Sequence, residues 1–401
     1  MTTQKLYYND SYKLDFEENI LKVEKWNDKF AVLFEKTYFY PTSGGQPCDK
    51  GFINNIPVVD VIEKEGNIYH ILEKNLTENK AICKIDYNTR LENSQHHTGQ
   101  HLLSQAFIKV KNYPTISMHI GKDYSTIEIV ASSLNIEDIN KVEDLANQII
   151  YENRKINILY LSEDEINNYS LRKKPKKKSS NNDIRVIEIE NFDLSPCGGT
   201  HLKSTSEIGI IKIISFEKYK GNYRVNFLCG KKALLDYRYK NFAIKNISNK
   251  FSASEYNIEQ IINKFIDDFE KNKKELNLIK KDFYNLLSKN ILNDCKIINN
   301  VKVIIKEEKN YDIKDISQNL VKNQDILSFL FLENNERYNF IFSCSDNLKI
   351  NLNEIARKLF KDLSFKGGGK NNFIQGSINK VEKSFLEKII SDYLNKINLS
   401  I

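Results

Sequence analysis

Two residue pairs, one hundred positions apart, have the types and spacing to hold a metal ion. His97 and His101 stand in QHHTGQH, and Cys197 and His201 stand in SPCGGTH, with three residues between the members of each pair. Three imidazoles and one thiolate suit a borderline-soft ion, zinc above all. The first pair lies in a stretch, residues 95–110, where Leu102, Leu103, Ala106, Phe107 and Val110 recur at helical spacing. Positions i and i+4 share a helix face, so both imidazoles reach one point. The second pair is a different device. Pro196, Gly198 and Gly199 disfavour a helix, so Cys197 and His201 are expected in a tight turn. An isolated histidine pair at this spacing is often a solvated helix face. Here three of only six histidines fall at these spacings, which favours one shared site.

The elements that must position the quartet follow from pattern. Residues 1–90 read as strands, with β-rich runs at Phe30–Phe34 and Ile56–Ile62 and turn chemistry in PTSGGQP and EKEGN. Residues 91–240 alternate: helix at 95–110, strand at 125–130, helix at 136–153, and strands at 184–190, 208–215 and 223–228. This order predicts one antiparallel sheet with helices on one face, an α+β arrangement. In residues 241–293, Ile258, Ile262, Phe265, Phe269, Leu276, Ile279, Phe283 and Leu286 step by four and three, a heptad seam with Asn272 in its one gap. Ser252 and Glu255 have capping-box spacing and predict the start of this long helix. Residues 294–401 return to alternating strands and helices and carry a glycine run, Gly367, Gly368 and Gly369, followed by Lys370.

Composition sets outer bounds. A net charge of +7 with 28% charged residues suits a polyanionic partner. Six scattered cysteines form no disulfide framework, no apolar run approaches a membrane span, and the first residues lack an apolar signal core. A cytoplasmic protein is the expectation.

HTGQHLLSQAF followed by CGGTH resembles the editing domain of alanyl-tRNA synthetase and the free-standing AlaX alanyl-tRNA editing proteins. TYFYPTSGGQPCDKG, residues 37–51, is similar to the start of that domain, SMHIGKDYSTIEI, residues 117–129, to its middle, and YRVNFLCGKKALLDY, residues 223–237, to its end. GGGKNNFIQG, residues 367–376, resembles the signature of the DHH-associated domain, although Asn371, Asn372 and Ser377 depart from the usual acidic and glycine positions. Threonyl-tRNA synthetases share the metal quartet, but their other domains have no likeness here. The resemblance implies a small N-terminal β-barrel (1–90), a zinc-dependent two-layer editing domain (91–240), a helical linker (241–293) and a DHH-associated domain (294–401) that binds tRNA and dimerises.

The implied reaction is hydrolysis of the ester of mischarged tRNA(Ala), chiefly Ser-tRNA(Ala) with Gly-tRNA(Ala) left open as a second substrate, by a trans-acting enzyme expected to have no ATP-binding aminoacylation domain. Four protein ligands look like a closed site, so a loose ligand, a fifth coordination position or an orienting role for zinc all stay open. His97, His101 and Cys197 are expected to be firm ligands and His201 the weakest. Thr37 is implied to sit near the amino-acid side chain, rewarding a seryl hydroxyl. Gln46, beside Gly44 and Gly45, offers both a donor and an acceptor to a ligand. Ser117 and His119, in the family-like SMHIG segment, are further candidates for the pocket wall. His96 and His70 have no site role. RKKPKKK, with Arg172, Lys173, Lys174, Lys176, Lys177 and Lys178, is a candidate for the acceptor-end phosphates, as is the Gly367–Lys370 run for phosphate or ribose. Two other classes remain: a catalytically inactive tRNA-binding module with a structural zinc, and a hydrolase of a different ester.

Overall fold

A computed structural model describes residues 2–174, 183–334 and 336–397. The chain divides into two compact units, residues 1–247 and 248–401. No helix among the described residues is long and apolar enough to cross a membrane.

The first unit opens with strands whose alternation is clearest in Lys80–Ile85, where every second residue is buried. Six strands, Asp15–Trp26, Lys29–Phe34, Gly51–Ile53, Ile56–Lys64, Asn67–Leu72 and Lys80–Ile85, form a closed barrel. Around it they run first, second, fifth, fourth, third, sixth, and closure removes the unpaired edges that an open sheet would expose. Val32, Phe34, Phe39, Val61, Ile68 and Leu72 fill the interior. Burial of each such side chain contributes about 1.5–3 kcal/mol.

Helix α1, Tyr87–Lys111, leaves the barrel directly. Asp86 caps it by accepting from Thr89 N at 2.7 Å, and Asn112 ends it in the left-handed conformation. Its first turn is fastened to the barrel by Arg90. The guanidinium pairs with the buried Asp49 carboxylate (Nε to Oδ1, 3.0 Å) and donates to the carbonyls of Ser11 and Tyr38. Leu102, Leu103, Ala106 and Phe107 pack with helix α2, Ile136–Tyr151, and with Ile127, Val225 and Phe227 of the adjoining sheet.

The strands of residues 91–240 form two antiparallel sheets rather than the single expected one. Thr115–Ile120, Ser125–Ile129, Asn222–Cys229 and Ile211–Tyr219 are adjacent in that order. Ile156–Leu161, Ile184–Ile189 and Asp193–Pro196 form a separate three-stranded sheet. The second sheet matters for the site, because its last strand delivers the CGGTH turn.

In the second unit, a 36-residue helix spans Ile258–Asn293. The expected Ser252–Glu255 cap does not form: Ser252 has φ +50° in the turn that follows helix Gly230–Lys250. Asn257 takes the N-cap position without a side-chain bond. The heptad residues Phe265, Phe269, Leu276, Ile279 and Leu286 are exposed. Ile291 near the helix end packs with Ile313, Ile316 and Leu320. A six-stranded sheet follows, parallel between Val301–Glu308 and Ile326–Asn334 and antiparallel elsewhere. The glycine run lies in its edge strand, Lys366–Lys370, paired with Phe373–Asn379. Ladder pairing commits one side of the run's backbone, and no helix N-terminus begins there.

Candidate metal centre

One metal-binding atom from each of His97, His101, Cys197 and His201 falls within 4.8 Å of all the others. Helix geometry supplies the first two. The turn after Asp193–Pro196 supplies the others, with Cys197 Sγ lying 3.2 Å from His97 Nε2 and 3.3 Å from His201 Nε2. Gly199 makes this approach possible, because a Cβ there would occupy the space of the His97 ring and crowd Gln46 Oε1. Gly45 does the same for the barrel loop, at φ +87°, where a Cβ would strike the Met118 backbone carbonyl.

Each imidazole is held from behind. His97 Nδ1 donates to Gln46 Oε1 at 2.7 Å. The Thr200 backbone N–H donates to that same oxygen at 3.2 Å, while Gln46 Nε2 donates to Thr200 Oγ1 at 2.9 Å. His101 Nδ1 stands 3.3 Å from Asp193 Oδ2, and His201 Nδ1 is 3.2 Å from Thr98 Oγ1. Such partners fix tautomer and ring direction in metal sites. Nε2 of each ring is thereby turned inward. His101 is fully buried; Asp193 stands behind its Nδ1, and its inward Nε2 has no hydrogen-bond partner. A buried, unsatisfied imidazole beside a thiolate is what a metal would relieve, so these residues fit such an ion.

Electrostatics agree. Burial alone would push the Cys197 thiol up, but the imidazoles of His97, His201 and His101 outweigh it and hold the group well below its ordinary range. Burial keeps His97 and His201 below the usual imidazole range, which favours the neutral, ligating form.

The quartet opens onto a cleft of about 900 Å³. His97, Gln100, Met118, Cys197 and Gly199 stand at the metal end; Tyr8, Tyr160, Arg185, Lys173 and Lys174 also line it.

Residues 184–226 match the threonyl and alanyl tRNA synthetase second additional domain, a stretch that includes Cys197 and His201. Residues 300–397 match the DHHA1 domain. The alanyl-tRNA editing protein AlaX-L of Pyrococcus horikoshii is 31% identical over 97% of this chain and 98% of its own length. The chain belongs to the AlaX-L family of alanyl-tRNA editing proteins. It is also similar to the alanine–tRNA ligases of Pyrococcus abyssi (30% identity over 95% of this chain) and Pyrococcus furiosus (28% over 95%). It spans 42% of the length of each ligase.

Within this AlaX-L-type site, the other expected residues fall in different places. Thr37 is fully buried in the barrel and does not line the cleft. Its Oγ1 lies 2.9 Å from His70 Nε2 and accepts from Phe39 N at 3.1 Å. His70 Nδ1 faces the Val32 carbonyl at 3.1 Å and so carries the ring proton, leaving Nε2 to accept from Thr37. The threonine hydroxyl thus has both of its printed partners inside the barrel, away from the residues that line the cleft. Gln46 is likewise buried behind His97 rather than open to a ligand. On the strand Thr115–Ile120, Met118 faces the cleft. Its neighbours Ser117 and His119 point to the opposite, exposed face. His96 is buried between the Glu92 carbonyl and the Cys229 N–H and takes no part in the quartet.

Arg172 also departs from expectation. Its side chain is 5% exposed and forms a two-pronged pair with Asp193, at 2.7 and 3.2 Å. It braces the carboxylate behind His101 instead of facing a phosphate. Lys173 and Lys174 line the cleft. Lys176, Lys177 and Lys178 lie outside the described residues. Sequence reasoning missed Thr98, Asp193 and Thr200, for which single polar residues on separate elements leave no periodic signal.

Proposed function

We propose that this chain hydrolyses the aminoacyl ester of mischarged tRNA(Ala), chiefly Ser-tRNA(Ala), in a zinc-dependent reaction. The observation that carries the reading is the quartet of His97, His101, Cys197 and His201, braced from behind and open to a cleft with room for an aminoacylated nucleoside. Family membership supports the substrate class.

Zinc held by these four residues would supply a Lewis acid and an anchor for the substrate beside the scissile ester. The chain's own groups do the rest. Gln46, Asp193 and Thr98 keep the three rings aimed at one point, so little reorganisation accompanies the reaction. Lys173 and Lys174 line the same cleft as cations suited to the phosphates of the acceptor end, while Arg185 is buried and donates to the carbonyls of Tyr8 and Cys197. Positioning the ester in a partly enclosed site removes much of the entropic barrier to its hydrolysis. The division into a barrel (1–90), editing domain (91–240), linker (241–293) and DHH-associated domain (294–401) belongs to the same proposal. The exposed stripe of Phe265, Phe269, Leu276, Ile279 and Leu286 supports helix pairing in a homodimer, with residues 300–397 contacting tRNA beyond the acceptor end.

The deciding experiment measures release of serine from Ser-tRNA(Ala), beside Ala-tRNA(Ala), Gly-tRNA(Ala) and Ser-tRNA(Ser), with and without a strong zinc chelator. Chelator-sensitive loss of serine from tRNA(Ala), with Ala-tRNA(Ala) spared, is expected. Zinc-replete protein that binds tRNA yet releases no amino acid would overturn the reading in favour of a binding module.

A further inference from the structure

Resting on the deacylase reading, we infer that Gln100 selects the hydroxyl-bearing amino acid. Gln100 follows His97 by three positions on α1, so the helical step brings it to the same side as that ligand. It lines the cleft beside His97, Met118 and Cys197 and is 5% exposed. Unlike Gln46 and Thr98, it holds none of the ligand histidines.

Its amide is fixed by two hydroxyls in series. Gln100 Nε2 donates to Ser104 Oγ at 2.7 Å, and Thr115 Oγ1 donates to the same oxygen at 2.8 Å. Nε2 gives one of its two N–H groups to Ser104, which leaves Oε1 as the acceptor and one N–H as a donor for a ligand. Of the groups beside Gln100, the nearest wall is mostly apolar, while the Tyr8 hydroxyl stands on the far side of the turn, next to Gly198. Met118 is apolar, and Gly44 and Gly199 have no side chains. The Tyr40 hydroxyl is already committed to the Ser43 carbonyl at 3.0 Å.

A seryl group entering this end of the cleft donates its hydroxyl to Gln100 Oε1. An alanyl methyl cannot, and it strips water from the carbonyl without replacing the bond. Sites built to meet a substrate hydroxyl reject the analogue lacking it for this reason. Gln100 offers its acceptor from the cleft lining itself, where Thr37, bonded to His70, does not stand.

The test compares kcat/KM on Ser-tRNA(Ala) and Ala-tRNA(Ala) for wild type, Gln100→Leu and Gln100→Met, with zinc content by elemental analysis and thermal melting. Methionine keeps the length of the side chain without its acceptor, so it serves if leucine disturbs folding. The serine-to-alanine ratio should fall roughly tenfold in both, the equivalent of one hydrogen bond, through loss of the serine rate. Zinc content should stay at the wild-type level. An unchanged ratio, an equal loss on both substrates, or loss of zinc from both variants would overturn the assignment. A wild-type protein inert on Ser-tRNA(Ala) would instead defeat the deacylase reading itself, and this inference with it.

Discussion

Gln46 Oε1 accepts the Nδ1 proton of His97 at 2.7 Å, a bond that ties the turn before the barrel's third strand to the helix carrying half of the metal quartet. The Thr200 backbone N–H fills the other side of the same oxygen, so the amide has one orientation and the imidazole one tautomer. Removing such a partner typically weakens metal affinity by about 10–100-fold. Gln46→Leu is expected to lose zinc to a competing chelator at correspondingly lower concentration, whereas Gln46→Glu keeps an acceptor and should stay near wild type. Equal chelator midpoints for all three proteins would show that the bond does not orient His97.

Thr37 yields a prediction of opposite kind. Its hydroxyl donates to the buried His70 Nε2, and a valine would leave that nitrogen unsatisfied. A stranded buried polar atom costs about 1–3 kcal/mol. Thr37→Val should therefore lower the denaturation midpoint while leaving the serine-to-alanine rate ratio where it was. A variant of normal stability that has lost its selectivity would put Thr37 back in the substrate pocket.

These two residues also mark how far the sequence could be read. The quartet was legible because His and Cys are rare in this chain and their spacing has a mechanical meaning on a helix and in a turn. The packing face of α1 was legible for the same reason, since Leu102, Leu103, Ala106 and Phe107 repeat at its period. What lay hidden was every bond between elements. Asp193 and Thr98 look like any other polar residues until the fold sets them against His101 and His201. Strand alternation says that Ser117 and His119 share a face, but not that Met118 owns the one toward the cleft. Arg172 was read with its charge run, yet a carboxylate 21 residues further on turns it inward. The pairing of the glycine run with Phe373–Asn379 was hidden too, because glycines carry no strand alternation in sequence.

Burial of His70 predicts acid sensitivity. Desolvation lowers its pKa from 6.5 to about 4, opposed by the bond to the Val32 carbonyl. Below the unfolded value, the unfolded chain takes up a proton that the folded chain refuses. The stabilisation is therefore complete above pH 6.5 and is lost as the pH falls toward 4. Integrated between pH 7 and 5, this one residue removes about 2 kcal/mol. Urea midpoints at the two pH values, for wild type and His70→Gln, should show the variant losing less stability on acidification. Parallel losses would assign the acid sensitivity to other groups.

Two adjacent glycines allow the sharpest steric test. A Cβ at Gly199 would overlap Cε1 and Nδ1 of His97 and press on Gln46 Oε1, the pair whose alignment the site depends on. A Cβ at Gly198 meets the outer end of the Tyr8 side chain, its hydroxyl at 3.0 Å, and no metal ligand. One methyl group, moved by one residue, should thus separate the effects of crowding the turn from those of displacing a ligand. Gly199→Ala is expected to release zinc at chelator concentrations the wild type resists and to lose serine release at least about tenfold, in line with other disruptions behind a metal ligand. Gly198→Ala is expected to keep its zinc and most of its activity. Identical zinc retention in the two variants would mean that the CGGTH turn relaxes around an added side chain, and that His97 does not depend on the close approach of Gly199.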